Sequence, residues 1–137
     1  MTTDQLGADP FDLVAGMEAA AILRAADHEV RRARAVLASG DEADDELTVM
    51  EVAEEAHRVL RGVEDLLGGF PAASEDHETW RKAQQLRAEL GGYLLAASTL
   101  QETGVSTRVV ASMLQRGAAC AEELLDRVTR TPAPDAV

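Results

Sequence analysis

Apolar residues along this 137-residue chain recur at three-and-four spacing in four separate stretches, and in none of them do they alternate with period two. Val49, Val52, Ala53, Ala56, Leu60, Val63 and Leu67 form one stripe, and Val110, Leu114, Gly117, Ala121, Leu124 and Val128 form another. Ala83, Leu86, Leu90, Tyr93, Ala97 and Leu100 supply a third. Nearest the start lie Ile22, Ala26, Val30, Ala33 and Leu37, with Ala15 and Ala19 on the same side. A repeat near 3.6 residues gathers each set on one side of an α-helix, so the pattern predicts an all-α protein.

Breaker residues divide the stretches. Asp9 and Pro10 suit an N-cap and a first helical position, and Gly40 suits the end of the same helix. Gly68, Gly69 and Pro71 part the second and third stretches; Gly104 and Ser106 suit the C′ and N-cap positions between the third and fourth. Pro132 and Pro134 stop the last. The prediction is helices over 10–38, 45–68, 76–103 and 106–130 in one domain, 10–131, with flexible tails at 1–9 and 132–137. Rods of roughly 24 to 29 residues span about 36 to 43 Å. Short links between rods of matched length favour an up-down-up-down antiparallel four-helix bundle.

Glycines inside the rods point to close approaches, because a mid-helix Gly costs about 1 kcal/mol relative to Ala. At matching heights the bundle pairs Gly16 with Gly62, and Gly91–Gly92 with Gly117. Gly91–Gly92 is also where the third helix would kink.

Two stretches carry more apolar surface than one stripe needs: "DLVAGMEAAAILRAA" at 12–26 and "LGGYLLAASTL" at 90–100. Leu13, Val14, Met17, Ile22 and Leu23 form the largest surplus. A second buried face implies a partner, either a second copy in a homodimer or another protein.

Composition narrows the partner. Asp and Glu total 25 against 13 Lys and Arg, for a formal net charge of -12. That balance disfavours nucleic acid and anionic membranes, both of which require a positive contact surface. Asp41, Glu42, Asp44, Asp45, Glu46, Glu51, Glu54 and Glu55 cluster around the first link, and no Lys or Arg occurs from 35 to 57. Acids at a helix start compensate its dipole; a sharper reading is docking to a basic partner. Arg24, Arg31, Arg32 and Arg34 are accounted for by neighbouring acids and the end of the first helix. Cys120 is the single cysteine, which excludes an intrachain disulfide and suits a reducing cytoplasm. The opening "MTTDQLGADP" lacks the pattern of a secretory signal, and charge interrupts the apolar run short of the roughly 20 residues of a membrane span. A cytoplasmic protein is the expectation.

Candidate chemistry is sparse. Glu54 and His57 in "EEAH" have the i, i+3 spacing of carboxylate-bridged di-iron bundles, but the motif occurs once where two are needed. Glu54 also points away from the apolar stripe, so no metal and no cofactor are expected. Glu29 lies closest to the core among the charges of the first helix, at a height shared with His57 and Tyr93. Those three could act as acid and base around a small ligand, the alternative enzymatic reading. Cys120, flanked by Glu122 and Glu123, reads as a buried small apolar residue rather than a nucleophile. Trp80 lies near the start of the third helix as an end plug or an interface anchor. The leading expectation is a non-catalytic interaction module, an adaptor, regulator or assembly partner, that self-associates through the first and third helices.

Overall fold

The computed structural model describes residues 9–42, 45–72 and 77–130, with side chains from residue 19 to residue 129. It contains four helices: α1 (Asp9–Asp41), α2 (Glu46–Gly68), α3 (His77–Glu102) and α4 (Thr107–Arg130). Among the described residues there is no strand. The protein is all-α, as the periodicity predicts.

Local chemistry accounts for the inner helix ends. The Asp45 carboxylate accepts a hydrogen bond from Leu47 N at 3.1 Å, capping α2. Ser106 caps α4 in the same way, its hydroxyl accepting from Arg108 N at 3.2 Å. Gly104 adopts φ +80°, the left-handed conformation that spares a side chain from clashing. Around it Val105 N donates to Leu100 O and Gly104 N to Gln101 O, both at 3.1 Å, the paired bonds of a Schellman motif.

Gly40 behaves differently from the expected terminator. α1 continues through it to Asp41, and a Cβ at Gly40 would lie 2.7 Å from Val52 Cγ1 on α2. Glycine is needed there for space between helices, not for a turn. α1 also outruns the other helices, with 33 residues against 23, 26 and 24.

The stripes meet in one apolar core. Leu60, Leu67, Leu86, Leu90, Leu114 and Leu125 are its largest fully buried side chains, and among the described residues no polar or charged side chain is buried. α1 packs on α2 and α4, α3 on α4 and α2, and α2 also reaches α4. Facing residues run in opposite order along α2 and α3 and along α3 and α4. Arg87 lies at Gly68, Gly91 at Glu64 and Ser98 at His57; Cys120 lies at Glu89 and Gly117 at Tyr93.

The glycine pairings need correction. A Cβ on Gly117 would lie 2.9 Å from Tyr93 Cβ, so its close neighbour is an aromatic side chain rather than Gly91–Gly92. Gly91 faces Glu64, while Gly62 and Gly92 have open space around them. Gly16 lies outside the described side chains. α3 runs unbroken through Gly91–Gly92.

Candidate functional site

One face of α2 meets the α3–α4 turn at an end of the bundle. Glu46, Met50, Ala53, Glu54 and His57 recur at helical spacing on α2 and line a cleft of about 540 Å³. Its other wall is Gln101, the Gly104–Thr107 turn, Val110 and Leu114. The Schellman turn sets Val105 into this wall, and the Asp45 cap fixes where α2 begins opposite it. The size falls in the range of about 300 to 1,000 Å³ common for ligand clefts.

Exposed apolar side chains concentrate at the same end. Among the described residues the large ones are Leu47, Met50, Leu95, Val105 and Val109. All but Leu95 belong to the first turn and a half of α2, to the α3–α4 turn or to the start of α4.

Charge divides the molecule as well. Around its middle, Asp27, Glu29, Glu55, Glu64 and Glu122 face arginines, while Glu89 faces Cys120. Arg32 Nη2 bonds Glu55 Oε2 at 2.9 Å between α1 and α2, and Arg31 and Arg34 of α1 both reach Glu122 of α4. Asp27, Glu29 and Glu64 each face an Arg on their own helix. At the cleft, Glu46 and Glu54 enter no ion pair among the described residues, nor do Glu51 and Glu102 next to the lining residues in sequence, nor Asp41 in a separate groove at the end of α1.

His57 is the polar group on the cleft floor. Its Nε2 shares a hydrogen bond of 3.1 Å with Ser98 Oγ on α3. Burial, with a smaller contribution from Arg61, holds the imidazole below its ordinary pKa and favours the neutral ring. A Ser–His contact alone is not an activated nucleophile. No carboxylate bonds His57 among the described residues, and Ser98 lies mid-helix, where backbone N–H groups are committed to the helical ladder. The pair joins α2 to α3 and offers a neutral polar handle to whatever enters.

Glu29, His57 and Tyr93, expected around one site, occupy three different surroundings. Glu29 is half-buried in a groove between α1 and α2, 3.5 Å from Arg32 and beside Glu55 and Arg58. Tyr93 packs against Gly117 of α4, and His57 turns to α3. Similar height on neighbouring helices does not fix which neighbour a side chain faces.

The surplus apolar stretches are also redistributed. Leu23 is 8% exposed and Ile22 packs against the core, so both serve the bundle itself. Leu13, Val14 and Met17 lie outside the described side chains. On α3, Leu90, Leu94 and Ala97 are buried and Leu95 is left exposed.

Other candidates settle into structural roles. Cys120 is half-buried rather than buried, and its Sγ lies 3.8 Å from Glu89 Oε1. Burial first and Glu89 second push its pKa up, away from a reactive thiolate. Trp80 stacks on His77 with ring centroids 5.5 Å apart and packs on the core at the start of α3. Among the described residues no group of three His, Cys, Asp or Glu could hold a metal ion, and no helix is long and apolar enough to cross a membrane.

No protein-family model, no curated protein sequence and no solved structure matches this chain.

Proposed function

We propose that the chain is an up-down-up-down antiparallel four-helix bundle that works as a non-catalytic protein-interaction module, docking a partner polypeptide in the end cleft. The opposite numerical order of facing residues on neighbouring helices supports the topology. One observation carries the function: exposed Met50 and Val105 and unpaired Glu46 and Glu54 converge on a single cleft, while Glu55 and Glu122 around the middle of the bundle are held by arginines of another helix. Apolar surface left open to water stabilises an association when covered, by about 25 cal/mol per Å². A patch rimmed by polar groups is the usual form of a docking site.

A different chain suits this cleft better than a second copy. In an isologous contact through this end, the acidic walls of two copies would be brought together, like charge against like.

Site-specific photocrosslinking in cells that make the protein tests the reading. A crosslinker at position 50 or 105 is expected to give polypeptide adducts of discrete mass that one at exposed position 65 does not. Equal adducts from all three positions, or none from 50 and 105, would overturn it.

A further inference from the structure

Building on that docking reading, we propose that the occupant of the cleft is a cationic amphipathic α-helix, with apolar anchors on one face and Lys or Arg beside them. Charge decides the sign. The cleft is lined by Glu46 and Glu54 and by no Lys or Arg. Asp45 and Glu51 at the start of α2 and Glu102 at the end of α3 adjoin lining residues in sequence, while Asp41 at the end of α1 lines a separate groove with Val49 and Arg108. An acidic segment would meet like charge along the α2 wall, whereas Lys or Arg flanking an apolar anchor would reach the Glu46 and Glu54 carboxylates, which enter no ion pair among the described residues.

Backbone chemistry decides the conformation. An extended peptide in a groove must hand its N–H and C=O groups to the host, as it does on an open sheet edge. Helices form the cleft walls, and beyond their first turns their backbone groups bond within each helix; the Asp45 and Ser106 caps take Leu47 N and Arg108 N, and the connecting turn spends Gly104 and Val105 N–H in its own Schellman bonds. An extended occupant would therefore bury unpaired backbone groups, while a helix brings its own bonds with it. Met50, Val105, Val110 and Leu114 then receive the apolar stripe, Glu46 and Glu54 hold the flanking cations, and His57 offers a neutral hydrogen-bonding group on the floor.

The test uses the full chain and three fluorescent 18-residue peptides. The first is a Leu/Lys amphipathic helix, the second a Leu/Glu helix with the same leucine positions, and the third a Leu/Lys peptide with its leucines spread around the helix. Anisotropy titrations are expected to show the first binding at least about tenfold more tightly than either other, with affinity falling as salt rises. Glu46→Lys/Glu54→Lys should transfer the preference to the Leu/Glu helix, and Glu46→Gln/Glu54→Gln should reduce the discrimination between the two helices. Asp65→Lys, an exposed acid remote from the cleft, should change neither, and circular dichroism checks each variant's fold.

Met50→Asp/Val105→Asp separates the two levels of the argument. If the Leu/Lys helix binds this variant as tightly as wild type, the cleft is not the docking site and the functional reading falls. If this variant loses binding but charge reversal leaves the preference unchanged, the cleft stands and the cationic occupant is overturned. Equal binding of both leucine arrangements, or no binding by any peptide, also overturns the cationic helix.

Discussion

The middle of the bundle and its α2–α4 end are built from the same residue types, yet they spend them in opposite ways. In the middle, Leu60, Val63 and Leu90 are at most 1% exposed, and the surrounding acids are held by Arg31, Arg32 and Arg34 across helix boundaries. At the end, Leu47 is 56% exposed, Val105 37%, and Glu46 and Glu54 enter no ion pair among the described residues. Interactions in the middle close within the chain, whereas those at the end stay open. On the docking reading proposed above, stability and recognition are separated along the bundle axis, and substitutions can probe each part alone.

The largest contrast lies in apolar truncation. Leu60→Ala removes a fully buried side chain from the dry core and should cost about 2 to 5 kcal/mol of folding stability. Met50→Ala, at a side chain 36% exposed, should stay within about 1 kcal/mol. Urea titrations of both variants measure the difference, and equal losses would mean that the end is packed as tightly as the middle.

Glycines sharpen the same map. Gly117→Ala puts a methyl group 2.9 Å from Tyr93 Cβ, an atom too near the backbone to swing aside, so a loss of about 1 to 3 kcal/mol is expected. Gly92→Ala meets open space within a helix and should gain about 0.5 to 1 kcal/mol. Thermal melts that moved both variants the same way would contradict this account of the α3–α4 contact.

Ion pairing in the middle is worth less. Glu122 takes two arginines, but Arg31 and Arg34 remain roughly half exposed, and water screens the attraction. Glu122→Gln should cost about 0.5 to 1 kcal/mol at low salt, with the deficit shrinking as salt rises. A double-mutant cycle with Arg34→Gln isolates the pair, and a coupling of zero would remove the paired middle as an energetic feature.

How much of this division was legible beforehand follows from what periodicity encodes. Stripes such as Val49–Leu67 and Val110–Val128 depend on spacing within one helix, and spacing is written in the chain. So were Gly104 and Ser106, because a left-handed turn and a hydroxyl cap each need particular residue types. Gly40 was ambiguous: glycine serves a turn and a tight contact equally, and only the position of Val52 separates the two. The azimuth of each helix was not written anywhere, which is why Glu29, His57 and Tyr93 could be matched in height but not in the neighbour they face. The cleft escaped for a related reason. Leu47 and Met50 follow an acid-rich link, Val105 and Val109 flank a cap, and each pair looks ordinary until topology brings the two links to one end. The acid run suggests a basic partner, the reading that the docking proposal takes up.

His57 lies where the two regions meet, and its effect should be modest. Because burial lowers its pKa in the fold, the unfolded chain takes up the proton first as pH falls. Stability should therefore decline as pH drops through about 6.5, the ordinary imidazole value, and level off below the folded pKa. His57→Gln removes the proton while keeping a group able to bond Ser98, so its urea midpoint should fall less than wild type between pH 7.5 and pH 5.5. A parallel decline in both proteins would assign the acid sensitivity to other groups.

The smallest effect has the most to say about the open end. Asp41 closes α1 and Glu102 closes α3, so each places a negative charge at a helix C-terminus, where the dipole is already negative. No basic residue occupies the last turn of either helix to compensate. Glu102→Gln or Asp41→Asn should therefore stabilise the isolated chain by about 0.3 to 1 kcal/mol, an increase that fades in high salt. If these acids serve a cationic helix, the same variants should weaken the Leu/Lys peptide as they strengthen the fold. Opposite signs from one substitution would separate recognition from stability at a single side chain, because a carboxylate that costs the free bundle energy stabilises it once a positive partner arrives. A variant that gained stability with no change in peptide affinity would instead leave Asp41 and Glu102 outside the docking surface and confine it to Glu46 and Glu54.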